Sequence, residues 1–241
     1  MLVLDEFLKA FHISKERFDA TGLKWDDLIA IYHHHGAQVT ALTMTGNGIA
    51  ERLRQIPTVH SLKMRVKDAS HLLEKIVRKK EEDPQRSITL DNYRSEITDL
   101  VGVRALHLFK MDWAAVHNQI QELWDEHEPP VAYTSAGDST KIFSENGCRT
   151  MVHKFGYRSV HYVISHKPTR EVTLVEIQVR TIFEEGWSEI DHRIRYPNEI
   201  NNPVLSACLA VFNGLAHTAD EMGSYARQLK SQWDEQLSQL E

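Results

Sequence analysis

Residues 174–181 read LVEIQVRT, an unbroken alternation of apolar and polar side chains. A period of two belongs to an extended strand, so Val175, Ile177 and Val179 fall on one face and Glu176, Gln178 and Arg180 on the other. The first face requires a core layer to cover it. The second sets a carboxylate, an amide and a guanidinium in a row, which suits either the solvated face of an edge strand or one wall of a polar site.

The neighbouring segments bear on that choice. Residues 156–164 (GYRSVHYVI) form a second strand pattern, separated from the first by the turn-like HKPTRE, and the pair reads as a hairpin. The same parity argument puts Tyr157, Ser159 and His161 on one face. Taken alone, Tyr157 and His161 suit packing or satisfied core positions as well as a ligand site. A third strand is expected near 100–109 (LVGVRALHLF), with Asp99 just before it. Asp99 is a common type of turn residue, and it is also a second carboxylate of the kind that a metal ion bridging phosphates requires. Arg104 has the opposite strand parity, so both can line one site only if Asp99 lies outside the regular strand.

The chain carries a net charge of −6, so any polyphosphate ligand must meet a local basic patch rather than a generally cationic surface. Residues 63–80 (KMRVKDASHLLEKIVRKK) supply one, with Lys63, Arg65, Lys67, Lys75, Arg78, Lys79 and Lys80 against only Asp68 and Glu74. A solvated helix face is the plainer reading of the same charges. No GxxxxGK[ST] loop and no GxGxxG turn occurs, so side chains rather than a glycine-rich cradle must hold phosphates.

At 241 residues the chain fits one large domain or one domain with helical extensions. Helical spacing over residues 3–56 predicts a helical N-terminal region, and helices are expected over 68–80, 112–126, 182–193 and about 203–238. The polar stretch after 126 reads as a loop or a pair of irregular strands. This order favours an α+β fold, a mixed sheet with helices packed beside it. Two widely separated cysteines, Cys148 and Cys208, suggest neither disulfide nor zinc site and suit a reducing cytoplasm. The first ten residues lack the marks of a secretory leader, and no run is long enough to cross a bilayer.

Four ordered blocks, RVK at 65–67 with EK at 74–75, ITDLVGVR at 97–104, GYRSVH at 156–161 and VEIQVRT at 175–181, followed by FEEGWSEIDHRIRYP, resemble the RelA/SpoT-type alarmone synthetase domain. The resemblance covers roughly residues 50–225. It implies a nucleotidyltransferase-like mixed sheet, with residues 1–50 as a helical extension and 51–241 as the synthetase domain. It also implies transfer of the β,γ-diphosphate of ATP to the 3′-hydroxyl of GDP or GTP, giving AMP and (p)ppGpp, the alarmone of the stringent response. By motif position, Asp99 and Glu176 would hold Mg²⁺, and Glu176 would also accept the hydroxyl proton. Arg65 and Arg104 would sandwich the adenine, while Lys67, Lys75 and Arg78 hold ATP phosphates. Tyr157 would stack on the guanine with His161 beside it, and Lys154 and Gln178 belong to the same acceptor side.

The segment before GY, SENGCRTMVHKFGY, differs from the usual family arrangement, offering Arg149, His153 and Lys154. That difference keeps open a relative that passes the diphosphate to the 3′ end of tRNA or to an adenine nucleotide. A nucleotide sensor without catalysis is a third reading, against which Asp99 and Glu176 both speak. Self-association is also left open, as is whether the long C-terminal helix serves as an interface.

His33, His34 and His35 invite a metal reading, yet adjacent helical residues point apart. Glu185, Glu189 and His192 share a helical face, which suits either a metal-ligand set or, as expected here, a polar scaffold that orients Arg180 or the hairpin.

Overall fold

The computed structural model describes residues 2–167, 170–195 and 202–238. Three helices open the chain: α1 (Leu4–Ala10), α2 (Lys15–Ala20) and α3 (Trp25–Arg54). The Ser14 side chain accepts the Arg17 N–H and starts α2, a serine N-cap. Asp26 and Asp27 in the first turn of α3, with Arg52 and Arg54 in its last, complement the helix dipole. The boundary expected at residue 50 falls inside α3. One end of this helix buries Leu28 and Ile31 with Phe7, Phe18, Leu72 and Ile76, and the other buries Leu42, Ile49 and Leu53 in the core under the sheet.

Next come β1 (Ser61–Val66), α4 (Ala69–Glu82), α5 (Tyr93–Glu96), β2 (Val101–His107), α6 (Trp113–Leu123), β3 (Asp125–Thr134), α7 (Lys141–Glu145), β4 (Arg149–Val152), β5 (Ser159–His166), β6 (Thr173–Thr181), α8 (Ile182–Arg195) and α9 (Pro203–Ser238). The strands form one six-stranded sheet in the order β1-β2-β6-β5-β3-β4. β2 runs parallel to β6 and β3 to β4, while the other pairs are antiparallel. The fold is therefore the expected α+β class with a mixed, nucleotidyltransferase-like sheet.

Several local expectations need correction. The hairpin exists as β5 and β6, from Val160 opposite Val179 to His166 opposite Thr173, but β5 starts at Ser159, so Tyr157 precedes the strand. Two residues of its turn, 168 and 169, lie outside the described residues, as do 196 and 197 at the end of the FEEGWSEIDHRIRYP block. Of the two readings of the stretch after residue 126, the structure takes the pair of strands, β3 and β4, with β3 irregular in register. Pro129 and Pro130 disguise β3, since proline lacks the N–H that a ladder uses, and the β3–β5 register shifts on either side of Glu128. β1 lies in the basic segment, where Leu62, Met64 and Val66 alternate with the cations.

Register fixes which side chains share a face. Lys63 lies opposite Arg104, Arg65 opposite Gly102, Gly102 opposite Glu176, Arg104 opposite Gln178 and Gln178 opposite His161. These residues line one face of the sheet. The other face presents Val101, Val103, Val175, Ile177, Val179 and Tyr162 to α3 and α6, through Ile49, Leu53, Trp113, Val116 and Ile120. Burying each such aliphatic side chain contributes about 1.5–3 kcal/mol. At Gly46, α3 presses so closely on the sheet that an added Cβ would stand 2.8 Å from Met64 and 3.0 Å from Val101. Among the described residues no helix is long and apolar enough to cross a membrane.

Candidate functional site

β2 begins at Val101, so Asp99 lies outside the regular strand and is released from its parity. Its carboxylate meets two ammonium groups on the same oxygen: Lys67 Nζ at 3.0 Å and Lys75 Nζ at 2.8 Å from Oδ2. Lys67 directly follows β1, and Lys75 stands in the middle of α4. Asp68 joins these two elements as the N-cap of α4, its Oδ1 accepting the Ser70 N–H at 2.8 Å. Burial pushes the Asp99 carboxyl up, but Lys67 and Lys75 outweigh it, with Glu176 opposing them, and hold it below the usual carboxylate range. Burial pulls the Lys67 ammonium down, only partly offset by Asp99. Asp99 Oδ1 is buried and has no hydrogen-bond partner among the described residues.

Glu176 projects from β6 on the polar face. Burial raises its pKa, yet the contact with His161 leads the opposing contributions, joined by the Gln178 amide and Lys75, and brings it to about 2. His161 Nδ1 lies 3.3 Å from Glu176 Oε1, while His161 Nε2 lies 2.9 Å from the Tyr157 hydroxyl. Because Glu176 is ionised, the imidazole proton belongs on Nδ1, leaving Nε2 to accept from Tyr157. The Gln178 amide donates to Glu176 Oε2 at 2.7 Å, and its carbonyl accepts from Arg180 at 3.0 Å. Arg180 is almost fully buried, and its guanidinium lies 5.3 Å from the centre of the Tyr157 ring.

α8 anchors the cations of the sheet. Glu185 takes Arg104 at 2.9 Å and Arg180 at 2.9 Å, Glu189 also binds Arg104, and Ser188 accepts from Arg180 at 2.9 Å. Of the expected scaffold, Glu185 contacts Arg180, whereas Glu189 binds Arg104 of β2 instead. Arg65 lies over Gly102, its Cγ and Nε 3.7 Å from where a Cβ would stand. Lys63, Arg65, Gly102, Arg104, Glu176 and Gln178 line a small cleft between these groups.

The remaining expected residues are placed differently. Arg78 is half exposed one turn beyond Lys75, 3.5 Å from Glu74 and 3.8 Å from Glu82. Lys154 Nζ lies 4.7 Å from the centre of the Phe155 ring. Arg158 of the GYRSVH block does not face the cleft. It grips Asp138 at 2.7 and 3.0 Å and Asn213 at 2.6 Å, while Asn213 donates to the Gly156 carbonyl at 2.9 Å. Gly156 has φ +77°, and a Cβ there would crowd Ser135 and Asn213, which accounts for glycine before Tyr157.

Tyr133 has no counterpart among the expected residues, yet its ring centre lies 4.8 Å from His161 and 5.9 Å from Tyr157. Its only sequence signal is the short apolar run after two prolines. Beyond Arg180, at the carboxyl ends of β2, β3 and β6, a cavity of about 300 Å³ is bordered by Tyr133, Thr134, Arg180 and Glu184. Of the three adjacent histidines, His34 bonds the Tyr93 hydroxyl and His35 the Lys67 carbonyl. Among the described residues no cluster of three potential metal ligands occurs.

A mixed sheet with Glu176 on its polar face and Asp99 beside it, both among fixed cations, has the charge arrangement that suits a phosphate-bearing ligand. The family model described as "Region found in RelA / SpoT proteins" matches residues 64–201. The GTP pyrophosphokinase YwaC of Bacillus subtilis (strain 168) is 31% identical over 172 residues, which cover 68% of this chain and 71% of that one. The crystal structure of the small alarmone synthetase 1 from Bacillus subtilis superposes with a TM-score of 0.60 at 21% identity, covering 82% of this chain and 97% of that chain. The structure of the same synthetase bound to its product pppGpp gives a TM-score of 0.52 at 21% identity, over 86% and 98% of the two chains. The chain belongs to the RelA/SpoT family.

Proposed function

We propose that this chain is a GTP/GDP diphosphokinase that transfers the β,γ-diphosphate of ATP to the 3′-hydroxyl of GDP or GTP, giving AMP and (p)ppGpp. The observation that carries the reading is the pair Asp99 and Glu176, one anchored by Lys67 and Lys75, the other by His161 and Gln178. The unpartnered, buried Asp99 Oδ1 and the all-oxygen pair suit a hard divalent cation such as Mg²⁺, which would take its remaining ligands from water and substrate phosphates. Bound there, the cation supplies charge that neutralises the oxygens of the transferring group.

The chain's own groups supply the rest. Lys67 and Lys75 lie where they can pass from Asp99 to the donor phosphates. Arg65 and Arg104 border the cleft for the adenine, with α8 holding Arg104 upright. Arg78, half exposed, is available to the outer phosphates. On the other side Tyr157, ordered by His161 and flanked by Tyr133, receives the acceptor base, and Gln178 keeps Glu176 and Arg180 in register. A carboxyl at about pKa 2 is a poor proton acceptor, so we assign Glu176 to charge and metal binding ahead of proton removal. Diphosphoryl transfer depends on such positioning and electrostatics more than on covalent help.

We further propose that residues 51–241 form the transferase unit, braced by α1, α2 and the first half of α3, and that it works in the cytoplasm. The two free cysteines support that setting. Self-association through α9 is supported by Val211, Leu215, Met222, Tyr225, Leu229 and Trp233, all exposed along that helix. The test of the reaction is to incubate the protein and Mg²⁺ with β,γ-labelled ATP and, separately, GDP, GTP, ATP or deacylated tRNA. Label on GDP or GTP is expected. Label only on tRNA or an adenine nucleotide would replace this acceptor, and binding of ATP without transfer to any acceptor would make the chain a sensor.

A further inference from the structure

His35 is fully buried in the middle of α3, far in sequence from the catalytic blocks. Its Nε2 lies 2.7 Å from the main-chain carbonyl of Lys67, and among the described residues its Nδ1 has no partner. A leucine would fill such a position without burying an imidazole, so the hydrogen bond is what distinguishes histidine here.

The carbonyl it meets belongs to a residue tied at both ends. The Lys67 N–H donates to the Leu100 carbonyl at 2.8 Å, next to Asp99, and the Lys67 Nζ lies 3.0 Å from Asp99 Oδ2. Asp68, the following residue, caps α4 and so sets the helix that delivers Lys75. The turn from β1 to α4 thus has one main-chain anchor at Leu100, just before β2, and one on α3. Leu100 supplies the first through the backbone, which any sequence provides. His35 supplies the second with a side chain, and the Tyr93 ring, 6.4 Å away and nearly perpendicular, confines the imidazole.

We infer that His35 is a positioning residue for the donor side: by holding the Lys67 carbonyl it fixes Lys67 against Asp99 and makes α3 part of the transferase machinery. The inference rests on the function proposed above. It assigns a role to the N-terminal helices that their packing alone does not require.

The test compares His35→Leu, which keeps bulk and removes the donor, with His35→Gln, whose amide nitrogen can replace Nε2. Transfer kinetics, affinity for a non-hydrolysable ATP analogue with Mg²⁺, and Tm are measured on both and on the unaltered chain. His35→Leu is expected to lose about 10–100-fold in kcat/KM for ATP, the scale of a displacement near 1 Å. KM for the acceptor should change less than about threefold and Tm little, while His35→Gln recovers most of the loss. Unchanged donor kinetics in His35→Leu overturn the inference. So does a loss shared equally by donor and acceptor that follows Tm and is not rescued by glutamine, since that is the mark of a merely structural histidine. If the unaltered chain transfers nothing, the proposed function fails, and the difference in analogue affinity between the two variants still decides the role of His35.

Discussion

Lys75 Nζ stands 2.8 Å from Asp99 Oδ2, so α4 delivers a cation directly to the carboxylate at the foot of β2. Lys67 shares that oxygen, and removing the anion leaves two buried ammonium groups facing each other. Asp99→Asn should therefore lower transfer by at least about 10²-fold and also lower Tm. Lys75→Met should weaken ATP binding while leaving the protein folded, because Lys67 still neutralises Asp99. Titration with a non-hydrolysable ATP analogue, alongside thermal melts, checks both.

Glu176→Gln removes charge with little change of shape. With a pKa of about 2 the carboxylate is ionised throughout the working range, so the variant isolates that charge. Transfer should fall by about 10²–10³-fold with analogue affinity nearly unchanged, and the Mg²⁺ concentration for half-maximal rate should rise. An unaltered turnover would remove Glu176 from the site.

Glu185 joins Arg104 and Arg180, each at 2.9 Å, and these arginines come from different strands. Glu185→Gln should raise KM for donor and acceptor together, by about 3–30-fold for each, with a small effect on Tm. An effect on one substrate alone would mean that the two arginines are held independently.

Burial, with the Asp220 charge adding to it, raises Glu184 to about 7, and burial, with Glu221 adding to it, raises Asp220 to about 6. Carboxyls raised in the fold favour the protonated state, so their stabilising contribution is complete below the unfolded values near 4 and is lost as pH rises through 6 to 7. Asp99 and Glu176 act oppositely, contributing above pH 4 and failing in acid as pH falls through their lowered values. Melting the unaltered chain and Asp220→Asn between pH 4.5 and 8 should show the variant gaining relative Tm toward high pH. A constant difference across that range would contradict the assignment.

Gly46 lets α3 touch β1 and β2. Gly46→Val should cost about 1–3 kcal/mol through overpacking against Met64 and Val101, read as a shift in urea midpoint. An unchanged midpoint would show that Met64 yields freely.

The strands that carried the clearest alternation, β2, β5 and β6, were legible because side-chain period is a local property of extended chain. β3 was legible only as one of two alternatives, since two prolines and a shifted register interrupt its pattern, and β1 was hidden behind its lysines and arginine. Tyr133 went unseen within β3. Tyr157 was legible as a partner of His161, but its position before β5 depends on the positive φ of Gly156 and on Asn213 from α9. Arg158 read like a member of the same block, yet Asp138 and Asn213 turn it away from the cleft.

The sequence by itself determined the periods, the caps, the polar row of Glu176, Gln178 and Arg180, and the resemblance that named the family, because each is written within a few consecutive residues. Only the tertiary structure decided that Lys67 and Lys75 meet on one oxygen of Asp99, that Glu185 serves two strands, and that His35 reaches the Lys67 carbonyl. Those contacts depend on the strand order β1-β2-β6-β5 and on a parallel β2–β6 pairing. Such an order arises from how layers bury their apolar faces together, which no local pattern specifies.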